Sequence, residues 1–187
     1  MKKRILMAVV LGVSLSVGAA FAQHPGGLGI GAVIQYGGSW DDIGHTGLGG
    51  VALSLKVPSM PIYWGINVDL FQDHWFGLTV TGDKYIYDQA LVPDISLGWF
   101  LGLGGYGSLH VYTGTGYDAM GIGVGIRVPI GLSWILAKQF ELFLDIAPSI
   151  GIGIGIGDGY GTEPHQLSPL WIDGGWAGDF GFRVWLK

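Results

Sequence analysis

The sequence predicts an all-β fold, an eight-stranded antiparallel up-and-down transmembrane β-barrel, and three observations carry that reading. The chain opens with an export signature. The remainder is apolar, yet its apolar runs are broken by Gly, Pro and charge before they reach helical spanning length. Apolar residues then alternate with polar or small ones at period two through eight successive segments, the pattern of a strand with one face in lipid and one in a lumen.

The export signature occupies residues 1–22. Lys2, Lys3 and Arg4 form a positive start, Ile5 to Val17 a mostly apolar stretch, and Ala20-Phe21-Ala22 a small-residue cleavage site. Cleavage there leaves residues 23–187 as a single barrel domain beginning at Gln23. It also removes three cations, taking the net charge from −5 to −8 (−5 − 3). The chain has no Cys, which excludes disulfides, thiolate ligands, a Cys nucleophile and a lipid-anchored start. Its charge argues against nucleic acid as a partner. Charged residues make up 12% of the chain, about half the usual share of a soluble domain, and hydrophobic ones 49%. Lipid cannot satisfy an open sheet edge, so an apolar exported strand protein must close on itself.

The segments follow in order. Leu28 to Tyr36 alternates cleanly. Val51, Leu53, Leu55 and Val57 oppose Ala52, Ser54 and Lys56. Ile62, Trp64, Ile66, Val68 and Leu70 oppose Tyr63, Asn67 and Asp69. Trp75 to Val92 loses phase at Lys84, because a charge on the lipid face costs roughly 2–4 kcal/mol at the midplane. A bulge at Gly82-Asp83 would turn Lys84 inward and set Tyr85 and Tyr87 outward. A hairpin there would leave two strands too short to span, so a single bulged strand is expected. Ile95, Leu97, Trp99, Leu101 and Leu103 oppose Ser96, Phe100 and three Gly. Met120 to Leu136 places Ile122, Val124, Ile126, Val128, Ile130, Leu132 and Trp134 on one face. Phe140 to Ile156 does the same with Leu142, Leu144, Ile146, Ile150, Ile152 and Ile154. In the last segment, Ile172 to Leu186, the charges Asp173, Asp179 and Arg183 all fall on odd positions. Short connections are expected near 58–60, 93 and 137–139, and longer outer loops at about 38–47, 106–118 and 157–169.

Alternation alone does not say which face is inside. A soluble eight-stranded barrel would bury the apolar face. Here that face is nearly uninterrupted and carries Trp64, Trp99, Trp134 and Trp176, while the other mixes both charge signs with Gly. The second face suits a narrow wet interior.

The stretch GIGVGIRVPIGLSWILAKQFELFLDIAPSIGI, residues 121–152, resembles the spirochaete-type outer-membrane β-barrel family, which is similar in architecture to OmpX and OmpW. The resemblance rests on Arg127-Val128-Pro129-Ile130-Gly131-Leu132, on Phe143-Leu144-Asp145-Ile146-Ala147-Pro148 across the hairpin, and on the closing GFRVWLK. Such barrels often end in an aromatic residue, whereas this chain ends Trp185-Leu186-Lys187. The resemblance implies insertion by the barrel-assembly machinery into the bacterial outer membrane, among its lipids, and leaves activity open.

Four candidate constellations follow. Lys56, Asp69, Asp83, Arg127, Glu141, Asp145, Asp173, Asp179 and Arg183, with Lys187 at the end, are expected inward, as a paired network that acts as a plug or an ion path. Gly121, Gly123, Gly125, Gly151, Gly153 and Gly155 are expected to line an outward-facing cavity, unless Tyr63, Phe71 or Trp171 fills it. Pro129 and Pro148 sit at one height in adjoining strands, where lost ladder bonds would weaken pairing and leave a lateral notch. His45, His74, His110 and His165, with Asp41, Asp42, Asp73 and Glu163 nearby, fall in expected outer loops, where they are more simply solvated than metal-bound. Ser108 with His110, or Ser168 with His165, supplies pieces of a hydrolase without an orienting third group. No metal, cofactor or catalytic set is expected. The leading function is an envelope-structural barrel or one for narrow passage or binding of a small molecule whose identity stays unknown. The alternatives are a surface-interaction protein acting through its loops and a lipid-modifying enzyme.

Overall fold

Alternating side chains commit this chain to strands, and the structure, a computed structural model describing residues 24–39, 47–69, 75–114, 117–157 and 170–186, is built almost wholly of them. The strands are β1 (Leu28–Ser39), β2 (Gly47–Lys56), β3 (Tyr63–Asp69), β4 (Trp75–Val92), β5 (Leu97–Gly114), β6 (Tyr117–Arg127), β7 (Ile130–Leu136), β8 (Phe140–Gly157) and β9 (Leu170–Leu186). Each pairs antiparallel with its neighbours, and β1 pairs with β9, so the sheet closes. β6 and β7 are two halves of one stave. Gly104 faces Arg127 and Leu101 faces Ile130 on one side, while Ser149 and Ile146 face the same two residues on the other. Three residues step past three on both flanks, so the register never slips, and the wall has eight staves.

The two faces sort as the alternation requires. On β8, Leu144, Ile146, Ile150, Ile152 and Ile154 point outward and stay about half exposed, whereas Glu141, Phe143, Asp145 and Ala147 are buried inward. β9 repeats this, with Phe180, Phe182, Val184 and Leu186 outside and Asp179, Arg183 and Trp185 inside. The buried core is therefore the lumen. It is polar and aromatic, and the outer surface is a continuous apolar sleeve.

Several expectations need correction. Residues 75–92 do form one bulged strand, but the bulge is not at Gly82-Asp83. Tyr85 faces Gly102 and Tyr87 faces Leu101, which leaves Ile86 as the extra residue, and a second irregularity falls at Leu91. Lys84 therefore stays outside and Tyr85 turns inward, the reverse of the expectation, while Tyr87 is outside as expected. The physical reason is position. Asp83 is the last β4 residue paired to β3, so Lys84 sits where that side of the wall gives way to the β2–β3 turn. One outer connection, expected at 106–118, is also shorter than expected: β5 runs to Gly114 and β6 begins at Tyr117. His110 consequently lies in a strand, opposite Gly77 and Gly121, and not in a loop. The expected export segment, His45, His74, His165, Asp41, Asp42, Asp73, Glu163, Ser168, Phe71 and Lys187 lie outside the described residues.

Candidate functional site

The interior is organised in three levels, and inward side chains from every stave build them. At the lower level, near the β2–β3, β4–β5 and β7–β8 turns, Arg183 spans the lumen from β9. Its Nε donates to Ser54 Oγ on β2 at 2.7 Å, its Nη1 to Glu141 Oε1 on β8 at 2.9 Å, and its Nη2 to the Tyr85 hydroxyl on β4 at 3.5 Å. The guanidinium also lies 4.0 Å from the Phe143 ring centroid and 5.0 Å from that of Tyr63. Tyr63, Tyr85 and Phe100 stack face to face, with centroids 3.9 and 4.3 Å apart and planes 13° off parallel. Trp185 Nε1 donates to Glu141 Oε2 at 2.9 Å. Glu141 is wholly buried, and each of its oxygens is met by a donor. Such a charge is tolerable in a dry interior only with this saturation of partners.

His24 completes this level. It precedes β1, yet its imidazole lies inside the barrel, with Nδ1 2.8 Å from Asp88 Oδ1 and Nε2 2.9 Å from Glu141 Oε1. Burial on its own would lower the His24 pKa, but the Asp88 and Glu141 carboxylates facing its two nitrogens outweigh that and hold it above the ordinary value.

The middle level is a charge cluster joined to a chain of amides. Arg127 Nε lies 3.4 Å from Asp83 Oδ1, and its Nη2 3.3 Å from Asp179 Oδ2. Asp145 pairs in register with Asp179. From Asp179 the chain runs through Gln35, whose Nε2 donates to Asp179 Oδ1 at 2.8 Å. Asn67 Nδ2 in turn donates to Gln35 Oε1 at 2.6 Å and to Asp69 Oδ1 at 2.9 Å. Asp83, Arg127, Asp179, Gln35, Asn67 and Asp69 thus form one connected belt drawn from five staves. Gly104 makes its central link: it stands between Asp83 and Arg127 in register, and the missing side chain leaves room for the two to meet.

The upper level is a cavity of about 220 Å³ lined by Gln35, Thr79, Tyr106, Ser108, His110 and Asp173, with Arg127 reaching it from below. The six expected glycines do not line it directly. The Tyr106 ring lies over Gly125 and Gly151, and Asp173 and Ser108 cover Gly123. Tyr106 donates to Asp173 Oδ2 at 3.1 Å. Glycine on β6 and β8 provides room for side chains from β5 and β9. Tyr63, one suggested filler, belongs to the lower stack instead.

Not every expected charge joins the network. Lys56 caps the β2–β3 turn, its Nζ donating to the carbonyls of Val57 at 3.0 Å and Met60 at 2.5 Å. Asp173 serves the upper cavity. Ser108 and His110 both face that cavity, but Ser108 Oγ has no hydrogen bond, so the pair makes no nucleophile–base contact. The lateral notch is contradicted by the wall itself. Val128 N donates to Pro148 O at 3.0 Å and Gly102 N to Pro129 O at 2.7 Å, so each proline forfeits only its own N–H while the register continues. Pro129 is fully buried.

His24, Gln35, Asn67, Tyr106 and Gly104 were not among the expected site residues. Tyr106 carried a legible signal: extending the β5 alternation beyond Leu103 puts it inward. His24 carried none, because nothing in a pattern of strands says that a residue ahead of the first strand folds into the lumen.

A family model described as Protein of unknown function (DUF3996) matches residues 47–161, well over half of the chain. The chain belongs to this family. In this DUF3996 member the matched span runs from the start of β2 to just beyond β8 and so contains Asp83, Arg127, Glu141 and Asp145. His24, Asp179 and Arg183 lie outside it. Among curated proteins, none matches. Among solved structures, Neisserial surface protein A is similar with a TM-score of 0.40 and 10% identity, over 85% of this chain and 96% of that one.

Proposed function

We propose that this DUF3996 protein is an outer-membrane barrel closed to free diffusion, with an envelope-structural role and an outward-facing polar cup that takes a small hydrophilic molecule. The observation that carries the reading is the filled lower lumen. The Tyr63–Tyr85–Phe100 stack, Phe143 and the Arg183 strut cross it from several sides. An eight-stranded barrel is only wide enough for side chains to fill, and here they do fill it. The apolar sleeve supports a bilayer setting, and the export signature supports delivery to the outer membrane, where the barrel-assembly machinery and outer-membrane lipids would be its partners. The cup offers hydroxyls, an amide, a carboxylate and an imidazole, chemistry suited to a polyhydroxylated or amine-bearing solute, and no activated nucleophile.

Reconstitution of the purified protein into planar bilayers tests this reading, with solute-swelling of proteoliposomes in parallel. The expected result is an intact bilayer baseline without discrete conductance steps, and no sugar-dependent swelling. Steady ohmic steps of a water-filled pore would overturn it.

A further inference from the structure

The lower lumen holds one group that the barrel wall does not supply. His24 reaches it from ahead of β1 over a tether of Pro25, Gly26 and Gly27. Its imidazole meets a carboxylate at each ring nitrogen, Asp88 from β4 at 2.8 Å and Glu141 from β8 at 2.9 Å, and its backbone N–H donates to Asp88 Oδ2 at 3.3 Å. A ring that faces a carboxylate oxygen at each nitrogen, hydrogen-bonded to Glu141 and at ion-pair distance from Asp88, is favoured as the imidazolium. Four aromatic rings enclose it: Tyr63, Tyr85, Phe100 and Trp185, with centroids 5.5, 5.4, 6.0 and 6.1 Å away. The titratable and charged groups of this enclosure are Tyr63 on β3, Tyr85 and Asp88 on β4, Glu141 on β8, and Arg183 on β9, which is itself bound to Glu141. Two anionic acceptors on staves separated by β5 and the β6–β7 stave, with aromatic walls between, form a built recognition site for a flat cation.

We propose that the lower lumen is a receptor site for a small aromatic cation of the imidazolium type, and that His24 occupies it in cis as a tethered plug. The three-residue tether gives the imidazole a high effective concentration at the site, so a free ligand does not compete in the intact chain. Removing the side chain leaves a vacated pocket of matching shape and charge, which a free ligand of the same chemistry fills. The proposal deepens the reading of a closed barrel and rests on it.

The test uses the full mature chain in detergent at pH 6, as wild type and as His24→Ala. The variant is expected to unfold at a lower temperature than wild type. Imidazole is expected to bind it at about 1 mM, the weak affinity of a five-atom ligand, and to restore most of the lost midpoint. Pyrazole, of the same size but uncharged at that pH, should not restore it, and wild type should take up neither. The Trp185 indole N–H resonance, assigned by comparison with Trp185→Phe, should shift on adding imidazole to His24→Ala and stay fixed in wild type. An unchanged midpoint, or equal imidazole uptake by both proteins, overturns the proposal. Should His24→Ala not fold, the folding yield decides: recovery with imidazole supports the site, and failure in imidazole beside a wild-type-like His24→Gln contradicts it. Conductance by wild type would sink the closed-barrel reading, whereas a closed wild type whose His24→Ala variant ignores imidazole sinks only the plug.

Discussion

Glycine in this lumen is a spacer, and Gly104 shows the point most sharply. It separates Asp83 from Arg127 across β5, and an added Cβ would meet the Asp83 carboxylate and the Gly82 carbonyl oxygen. Gly104→Ala is therefore expected to lose about 2–3 kcal/mol, because overpacking adds to a broken buried ion pair. Gly107, three residues further along the same strand, has open space around it. Gly107→Ala should stay within about 0.5 kcal/mol of wild type. Reversible urea unfolding in micelles measures both, and equal effects at the two positions would refute the spacer role. The sequence told which charges face inward, because a parity rule suffices for Asp83, Arg127, Glu141, Asp145, Asp179 and Arg183. It did not tell which charges meet. Pairing across a lumen depends on shear and on which intervening residue is small, and neither is written in one strand's alternation. Lys56 illustrates the limit: its parity is inward, but the nearby turn carbonyls of Val57 and Met60 capture it.

At the scale of elements, strand phase is legible wherever nothing interrupts it. β6 with β7, β8 and β9 fall where their Ile and Leu columns put them. The two prolines looked disruptive, yet each removes one donor and leaves the register intact, because the reciprocal bond to its carbonyl survives. β4 was harder. A bulge at Gly82-Asp83 and one at Ile86 both leave Tyr87 outward, and they differ in whether Lys84 or Tyr85 turns inward. The charge penalty that favoured the first placement holds at the bilayer midplane and fades towards the interface, and Lys84 lies one residue beyond the last pairing of β4 with β3, beside the β2–β3 turn. Tyr85 then gains a stack with Tyr63 and Phe100. Single-cysteine variants separate the two placements in this otherwise Cys-free chain. Lys84→Cys should react with a water-soluble maleimide at a rate near that of the unfolded protein. Tyr85→Cys should react several-fold more slowly, because the Tyr85 position is partly buried inside the barrel. The reverse order would restore the bulge at Gly82-Asp83.

For the whole molecule, one physical inversion explains the composition. The core is a narrow tube of paired charges, amides and stacked rings, and the greasy side chains form the outside. That arrangement is favourable only with lipid against the sleeve, because water beside so much exposed Ile, Leu, Val and Phe would carry a large hydrophobic cost. Fold class and face assignment were legible because alternation, low charge and aromatic content all point the same way. The place of His24 in the lower lumen was not, because it comes from a residue ahead of the first strand. Spin labels placed singly at each position from 140 to 155 of β8, in lipid bilayers, test the central claim most directly by comparing collision with oxygen against collision with a water-soluble nickel chelate. The account predicts a strict two-residue alternation, with Leu142, Leu144, Ile146, Ile150, Ile152 and Ile154 oxygen-accessible and Glu141, Phe143 and Asp145 shielded from lipid. Nickel accessibility at the even positions, or an oxygen maximum at Glu141 and Asp145, would contradict it.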